Sequence, residues 1–129
     1  MTHYKSNLRD LEFNLFEVFK RQDVLGTGPF EELDEDTART ILDEVDRLAT
    51  GSVAESFEDA DRNPPVFDPA TNTVALPESL KKSYQDYMDA GWYNLDLPPE
   101  LGGLGAPRSL VWAAAELILG ANPAVHMYA

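Results

Sequence analysis

The chain has no cysteine. Disulfides, thiolate metal sites and a cysteine nucleophile are therefore excluded. It is also poor in basic residues, with 10 Lys and Arg against 23 Asp and Glu and a formal charge of −13. Nucleic-acid binders gather Lys and Arg to meet phosphates, so that class of partner is not expected. Long hydrophobic runs are missing too. The most apolar stretch, Leu110 to Leu119, is half the roughly 20 residues a membrane-crossing helix needs, so no membrane insertion is expected. The start lacks a basic segment followed by an apolar run, which makes cytoplasmic the expected location. No internal repeat or low-complexity run is visible, and the length, 129 residues, suits one domain with a real core.

The charge that is present is unevenly placed. Glu31 to Asp61 holds twelve Asp and Glu against two Arg, whereas Leu101 to Ala129 offers only Arg108, Glu116 and His126. The first half presents a solvated face and the last quarter expects cover. An apolar stripe of Leu8, Leu11, Leu15 and Val18, widened by Phe13 and Phe16, predicts an amphipathic helix from about Asn7 to Arg21. Asp34 or Asp36 can cap a second helix whose inner face is Ala38, Ile41, Leu42, Val45 and Leu48, ended or kinked at Gly51. Val53 and Phe57 belong to a further short turn. Asn72 supplies a turn between Val66-Phe67 and Val74-Ala75-Leu76, so a small hairpin is expected. Pro77 fits the first turn of a helix to about Ala90 with Leu80, Tyr84, Tyr87 and Met88 inward, and Gly91 its end. Ser109 is expected to cap a helix over Leu110 to Leu119, with Gly120 as its stop. Asn122-Pro123 reads as cap and first-turn proline of a last helix, cut off at Ala129. The fold class is all-α with five to six helices and one extended lap.

Between two of these helices runs Gly91-Trp92-Tyr93-Asn94-Leu95-Asp96-Leu97-Pro98-Pro99-Glu100-Leu101-Gly102-Gly103-Leu104-Gly105, too rich in proline and glycine to be helical. Its Trp92, Leu95, Leu97, Leu101 and Leu104 give it an apolar underside, so it reads as a packed loop. Leu97 to Gly103 resembles the apolar-Pro-Glu-x-Gly-Gly motif in the N-terminal helical domain of the acyl-CoA dehydrogenases, with a doubled proline as its one variation. His3-Tyr4-Lys5-Ser6-Asn7-Leu8-Arg9-Asp10-Leu11-Glu12-Phe13 resembles the N-terminal extension of the larger bacterial members, including those acting on long-chain or methylthiopropionyl thioesters. The resemblance covers essentially all of the chain. It implies residues 1–30 as extension helix and loop and 31–129 as the domain proper, its last helix incomplete.

The residue types leave few chemical candidates. Asp34-Glu35-Asp36 could face a cation, but adjacent acids at a helix start are more simply caps complementing the macrodipole. Gly26-Thr27-Gly28 lacks the ending and preceding strand of a phosphate loop. Glu116, alone on an apolar helix, is either paired or on a wet stripe, and the resemblance implies a structural glutamate there. His126, with Asn122, Met127 and Tyr128, is by spacing a lone histidine. The resemblance implies that this last segment begins the helix walling one side of the acyl pocket. Asn122, His126 and Met127 are then the substrate-binding positions, Asn122 by setting the helix start. It further implies a parent enzyme that oxidises acyl-CoA thioesters with FAD, passes electrons to an acceptor, and forms a homo-oligomer. No catalytic, cofactor-binding or metal residue is expected in this chain, and the chain alone should be inactive and hold no FAD. Two alternatives fit the same residues: a free-standing helical interaction module derived from such a domain, or a same-fold flavoprotein with different chemistry.

Overall fold

A computed structural model describes residues 2–129. Six α-helices and one hairpin build it: α1 (Leu8–Glu12), α2 (Glu35–Leu48), α3 (Phe57–Arg62), β1 (Val66–Asp68), β2 (Thr73–Ala75), α4 (Glu78–Ala90), α5 (Arg108–Ala121) and α6 (Pro123–Tyr128). The all-α reading with a single lap holds.

The α2 helix follows its sequence closely. The Asp34 carboxylate accepts the Thr37 N–H at 2.8 Å, and Ala38, Ile41, Leu42 and Val45 are buried at helical spacing. That face meets α5, where Ala113, Ala114, Leu117 and Ile118 are buried in turn. Each such Leu or Ile contributes about 1.5–3 kcal/mol of burial. Past Leu48 the helix widens into a π-helical stretch, Ala49–Val53, kinked at Gly51 (φ −95°, ψ −111°). Ala49 and Val53 stay fully buried through it, so the register of the core face survives the kink.

The first helix departs from its expected face. It runs from α1 into a π-helical turn, Phe13–Val18, closed by Phe19 N–H donating to Asn14 C=O at 2.9 Å. The wider i→i+5 turn rotates later residues away from a 3.6-residue stripe. Leu15 and Phe16 are buried, while Phe13 and Val18 are exposed. Arg39 lies 4.2 Å over the Phe16 ring and pairs with both Glu12 and Glu35, tying this helix to α2.

The hairpin pairs Val66 with Ala75 and Phe67 with Val74, antiparallel, with Asn72 left-handed (φ 54°) in the turn. In α4, Leu80 and Tyr87 are buried, Tyr84 and Met88 half-buried, and Ser83 is buried where no polar group was expected. Pro77 sits just before α4 and not inside its first turn; its carbonyl accepts the Lys81 N–H at 3.1 Å.

After Gly91 (φ 76°) the proline- and glycine-rich loop folds on its own backbone. Ala106 and Leu104 N–H groups return to Leu95 C=O, and Gly105 N–H reaches Leu97 C=O at 2.8 Å. Only Leu95 of its leucines is buried. Leu97, Leu101 and Leu104 are exposed, because backbone bonds, not an apolar underside, close the loop. Gly103 is needed for space: a Cβ there would collide with the Leu97 carbonyl and lie 2.5 Å from the Asn94 carbonyl oxygen.

Two boundaries of α5 differ from the sequence reading. Leu110 and Val111 N–H groups both donate to Pro107 C=O, so the helix starts at Arg108 and Ser109 lies within its first turn. Nor does Gly120 stop it. The helix continues to Ala121, and the glycine makes room for Tyr4, whose ring would lie 2.6 Å from an added Cβ. Thr2 donates to Thr50 C=O at 3.1 Å and His3 stacks 4.2 Å from Phe57, so residues 2–4 form a strap across the end of α5 and the π-helical stretch.

Two outcomes follow. Gly103→Ala should lower the urea midpoint by an amount equivalent to about 3 kcal/mol or more, since backbone carbonyls cannot yield as side chains do. Acid is the second test. The Asp86 carboxyl is held below its ordinary range by Lys82 and then Ser52, and that of Asp34 by its bonds to Thr37. A depressed folded value gives stability that is fully present above the unfolded value of about 3.9 and lost as pH falls through the folded one. The difference in urea midpoint between the chain and its Asp86→Asn variant should therefore be constant from pH 7 to about 5 and shrink below about 4. A difference unchanged down to about pH 2 would show that Asp86 makes no such bonds.

Candidate functional site

The helix end and its turn into α6 gather the residues singled out from sequence. Asn122 breaks α5 with extended backbone (φ −161°), and its Oδ1 accepts the Ala124 N–H at 3.1 Å, with Pro123 in the first position of α6. This sets the helix start. The side chain is 2% exposed and its Nδ2 donates to Ser56 Oγ at 3.0 Å, so Asn122 lies in the core and acts through α6.

Val125 is fully buried and pins α6 down. His126 is half-buried and joins Val45, Tyr87, Trp92, Tyr93 and Ile118 around a cavity of about 40 Å³. Its Nδ1 is buried without a hydrogen-bond partner. Burial lifts the Tyr87 hydroxyl above its ordinary value, so Tyr87 stays a neutral phenol through the physiological range. Met127 points the other way and is 80% exposed. His126 and Met127 therefore belong to different faces: one looks inward to aromatic rings, the other outward.

Beside the end of α6 lies a wider groove of about 460 Å³ between α6 and α4. Leu76, Leu80, Tyr84 and Tyr128 wall it, and Lys81 and Gln85 stand among its lining residues. The Tyr84 hydroxyl donates to Tyr128 C=O at 3.4 Å, joining the two walls. Sequence reasoning placed Tyr84 inward on α4 and left Tyr128 beside His126 without a role; no local signal told that the two would share a groove. Ser56 was missed altogether. The groove is walled mainly by aliphatic and aromatic side chains, with Lys81 and Gln85 as its polar members.

The other candidates have structural employment. Glu35 of the acidic run pairs with Arg39 and Asp34 caps α2. Among the described residues, no group of three His, Asp or Glu is placed to hold a metal ion. In the Gly26-Thr27-Gly28 loop, Gly26 N–H reaches Phe30 and Leu33 carbonyls at 2.9 Å and Thr27 Oγ1 donates to Val24 C=O. Glu116 is exposed, on the wet stripe of α5. Among the described residues, no helix is long and apolar enough to cross a membrane.

The class defined so far is an all-α domain whose terminal helix borders an apolar groove. The chain is similar in sequence to part of two acyl-CoA dehydrogenases. It is 57% identical over all 129 residues to the broad-specificity linear acyl-CoA dehydrogenase FadE5 of Mycobacterium tuberculosis, covering 21% of that protein. To the 3-methylmercaptopropionyl-CoA dehydrogenase of Ruegeria pomeroyi it is 29% identical over 119 residues, which are 92% of this chain and 20% of that one. The chain thus spans about a fifth of the length of the curated relatives it matches. No protein-family model matches it.

Proposed function

We propose that this chain is the N-terminal helical part of a flavin-dependent acyl-CoA dehydrogenase and that α6 supplies one wall of its acyl pocket. The observation that carries this reading is identity of 57% over all 129 residues to an enzyme named for linear acyl-CoA substrates. Both relatives are named as acyl-CoA or 3-methylmercaptopropionyl-CoA dehydrogenases. The apolar groove beside α6 and the exposed Met127 support the same assignment.

In the reaction, the thioester loses its α-hydrogen as a proton to a base and its β-hydrogen as a hydride, leaving a trans double bond between the two carbons. FAD, if bound, would supply the acceptor for that hydride. The base and the residues holding FAD are assigned to the remaining four fifths or so of such an enzyme. Within this chain, the Gly26–Gly28 loop spends its Gly26 amide internally and Asp34 occupies the start of α2, so neither offers a pyrophosphate a seat. This chain's own residues bind and exclude water: Met127 on the outer face of α6, His126 behind it against the aromatic cavity, and Asn122 fixing where the helix begins. An electron acceptor, a homo-oligomer and a cytoplasmic setting belong to the same reading.

The test is a chimera in which this chain replaces the matching 129 residues of the 57% relative. It should fold, retain FAD and oxidise linear acyl-CoA, whereas the isolated chain mixed with FAD should keep no flavin absorbance after gel filtration. A folded, FAD-loaded chimera without turnover would favour an interaction module. In the active chimera, Met127→Trp should lower kcat/KM for long thioesters more than for short ones. Each methylene excluded from burial costs about 0.8 kcal/mol, so the effect should grow with chain length. A uniform loss across lengths would take Met127 off the pocket wall.

A further inference from the structure

Two buried polar side chains meet 66 positions apart in sequence: Ser56, fully buried, and Asn122, 2% exposed. Ser56 has one hydroxyl proton and donates it to Val53 C=O at 3.2 Å. Its oxygen can then only accept, and Asn122 Nδ2 donates to it at 3.0 Å. That leaves Oδ1 to accept the Ala124 N–H. The reverse orientation of the amide would set two donors, Nδ2 and the Ala124 N–H, against each other. The network therefore determines which way Asn122 points.

The serine end is itself held firmly. Ser83 donates to Ser52 C=O at 2.6 Å, the Ser52 hydroxyl donates to Asp86, and Thr2 donates to Thr50 C=O. The kinked π-helical stretch is thus tied to α4 and to the N-terminal strap, and through Ser56 to α6. Helix α6 has six residues, too few to be stable by itself, and its backbone leaves α5 at the extended Asn122.

We infer that Ser56 and Asn122 are a positioning pair: beside the packing of Val125 and the Tyr84–Tyr128 bond, this side-chain bond lets the π-helical stretch aim α6, and with it His126 and Met127. The inference rests on α6 being a wall of the acyl pocket only where it concerns substrate. Asparagine is required at position 122, not merely a capping residue. Aspartate caps a helix equally well, but it has no N–H to give Ser56, whose hydroxyl could keep the contact only by turning its proton away from Val53 C=O.

Nuclear magnetic resonance of the 129-residue chain reads the bond directly. The Asn122 side-chain NH₂ should exchange with solvent at least about tenfold more slowly than those of the exposed Asn63 and Asn72. In Ser56→Ala that protection should vanish and the His126 and Met127 signals should shift. In Asn122→Asp the Ala124 amide should stay protected while the same two residues shift, separating aim from capping. Unprotected Asn122 NH₂ in the parent chain, or unmoved His126 and Met127 signals in both variants, would overturn the pair. In the active chimera, Ser56→Ala should change the long-to-short ratio of kcat/KM at least about threefold. Asp34→Ala, which removes the α2 cap and none of these bonds, should lower Tm and leave that ratio alone. Equal changes in both variants would reduce Ser56 to a general stability role. Shifted α6 signals with an unchanged ratio would keep the positioning and remove α6 from the acyl wall, so the two readings fail separately.

Discussion

Close packing of α5 against α2 is the constraint on which the remainder of the molecule depends. Ala113, Ala114 and Ala115 are consecutive and all buried, which on a helix means contact on more than one side. Small side chains let neighbouring helices come near, and Leu117 and Ile118 fill the deeper layer against Ile41, Leu42 and Val45. Once α5 is central, its ends fall at defined places. Its start must receive the proline- and glycine-rich loop, and its finish must admit Tyr4 over Gly120 before the chain turns at Asn122. Burial and then the Asp46 and Glu116 charges lift the Tyr4 hydroxyl above its ordinary value, so the Tyr4 phenol stays neutral.

A core of this kind is non-directional; it brings helices together without fixing how a six-residue α6 is aimed. Direction comes from the polar seam along the π-helical stretch. Ser52, Ser56, Ser83 and Asn122 each have a partner, and satisfied buried polar groups specify one arrangement where apolar contacts would accept several. The region around α6 is therefore built in two layers. Apolar packing places α6 beside the groove with Leu76, Leu80 and Tyr84, and the bonds of Asn122 fix where α6 starts.

The charge asymmetry fits this architecture. Carboxylates of the acidic half lie on the outer faces of α2 and α3, several of them paired with Arg39, Arg47 and Arg62. The apolar last quarter is in part hidden from within, since Leu117, Ile118 and Val125 are buried by the chain's own helices. Trp112, Met127 and Tyr128 remain exposed.

Much of this was legible in the residues. The α2 face, the Asp34 cap, the Asn72 turn, the glycine at the end of α4 and the Asn122-Pro123 helix start all depend on neighbours within a few positions, and local chemistry decided them. What lay outside the sequence depended on distant partners. Gly120 looks like a helix stop until Tyr4 is seen against it. Phe13 and Val18 look inward until a π-helical turn changes the residues per turn. Leu97, Leu101 and Leu104 look like an apolar underside until backbone bonds from Leu95 and Leu97 close the loop without them. Ser56 carries no local signal at all, because its partner is 66 residues away. Sequence by itself determined where α2 and α6 begin and which stripe of α2 is buried, since those are local free energies. Tertiary structure alone decided which polar side chains meet in the core and how α6 is aimed, because a hydrogen bond between distant residues exists only once packing has brought them within 3.0 Å.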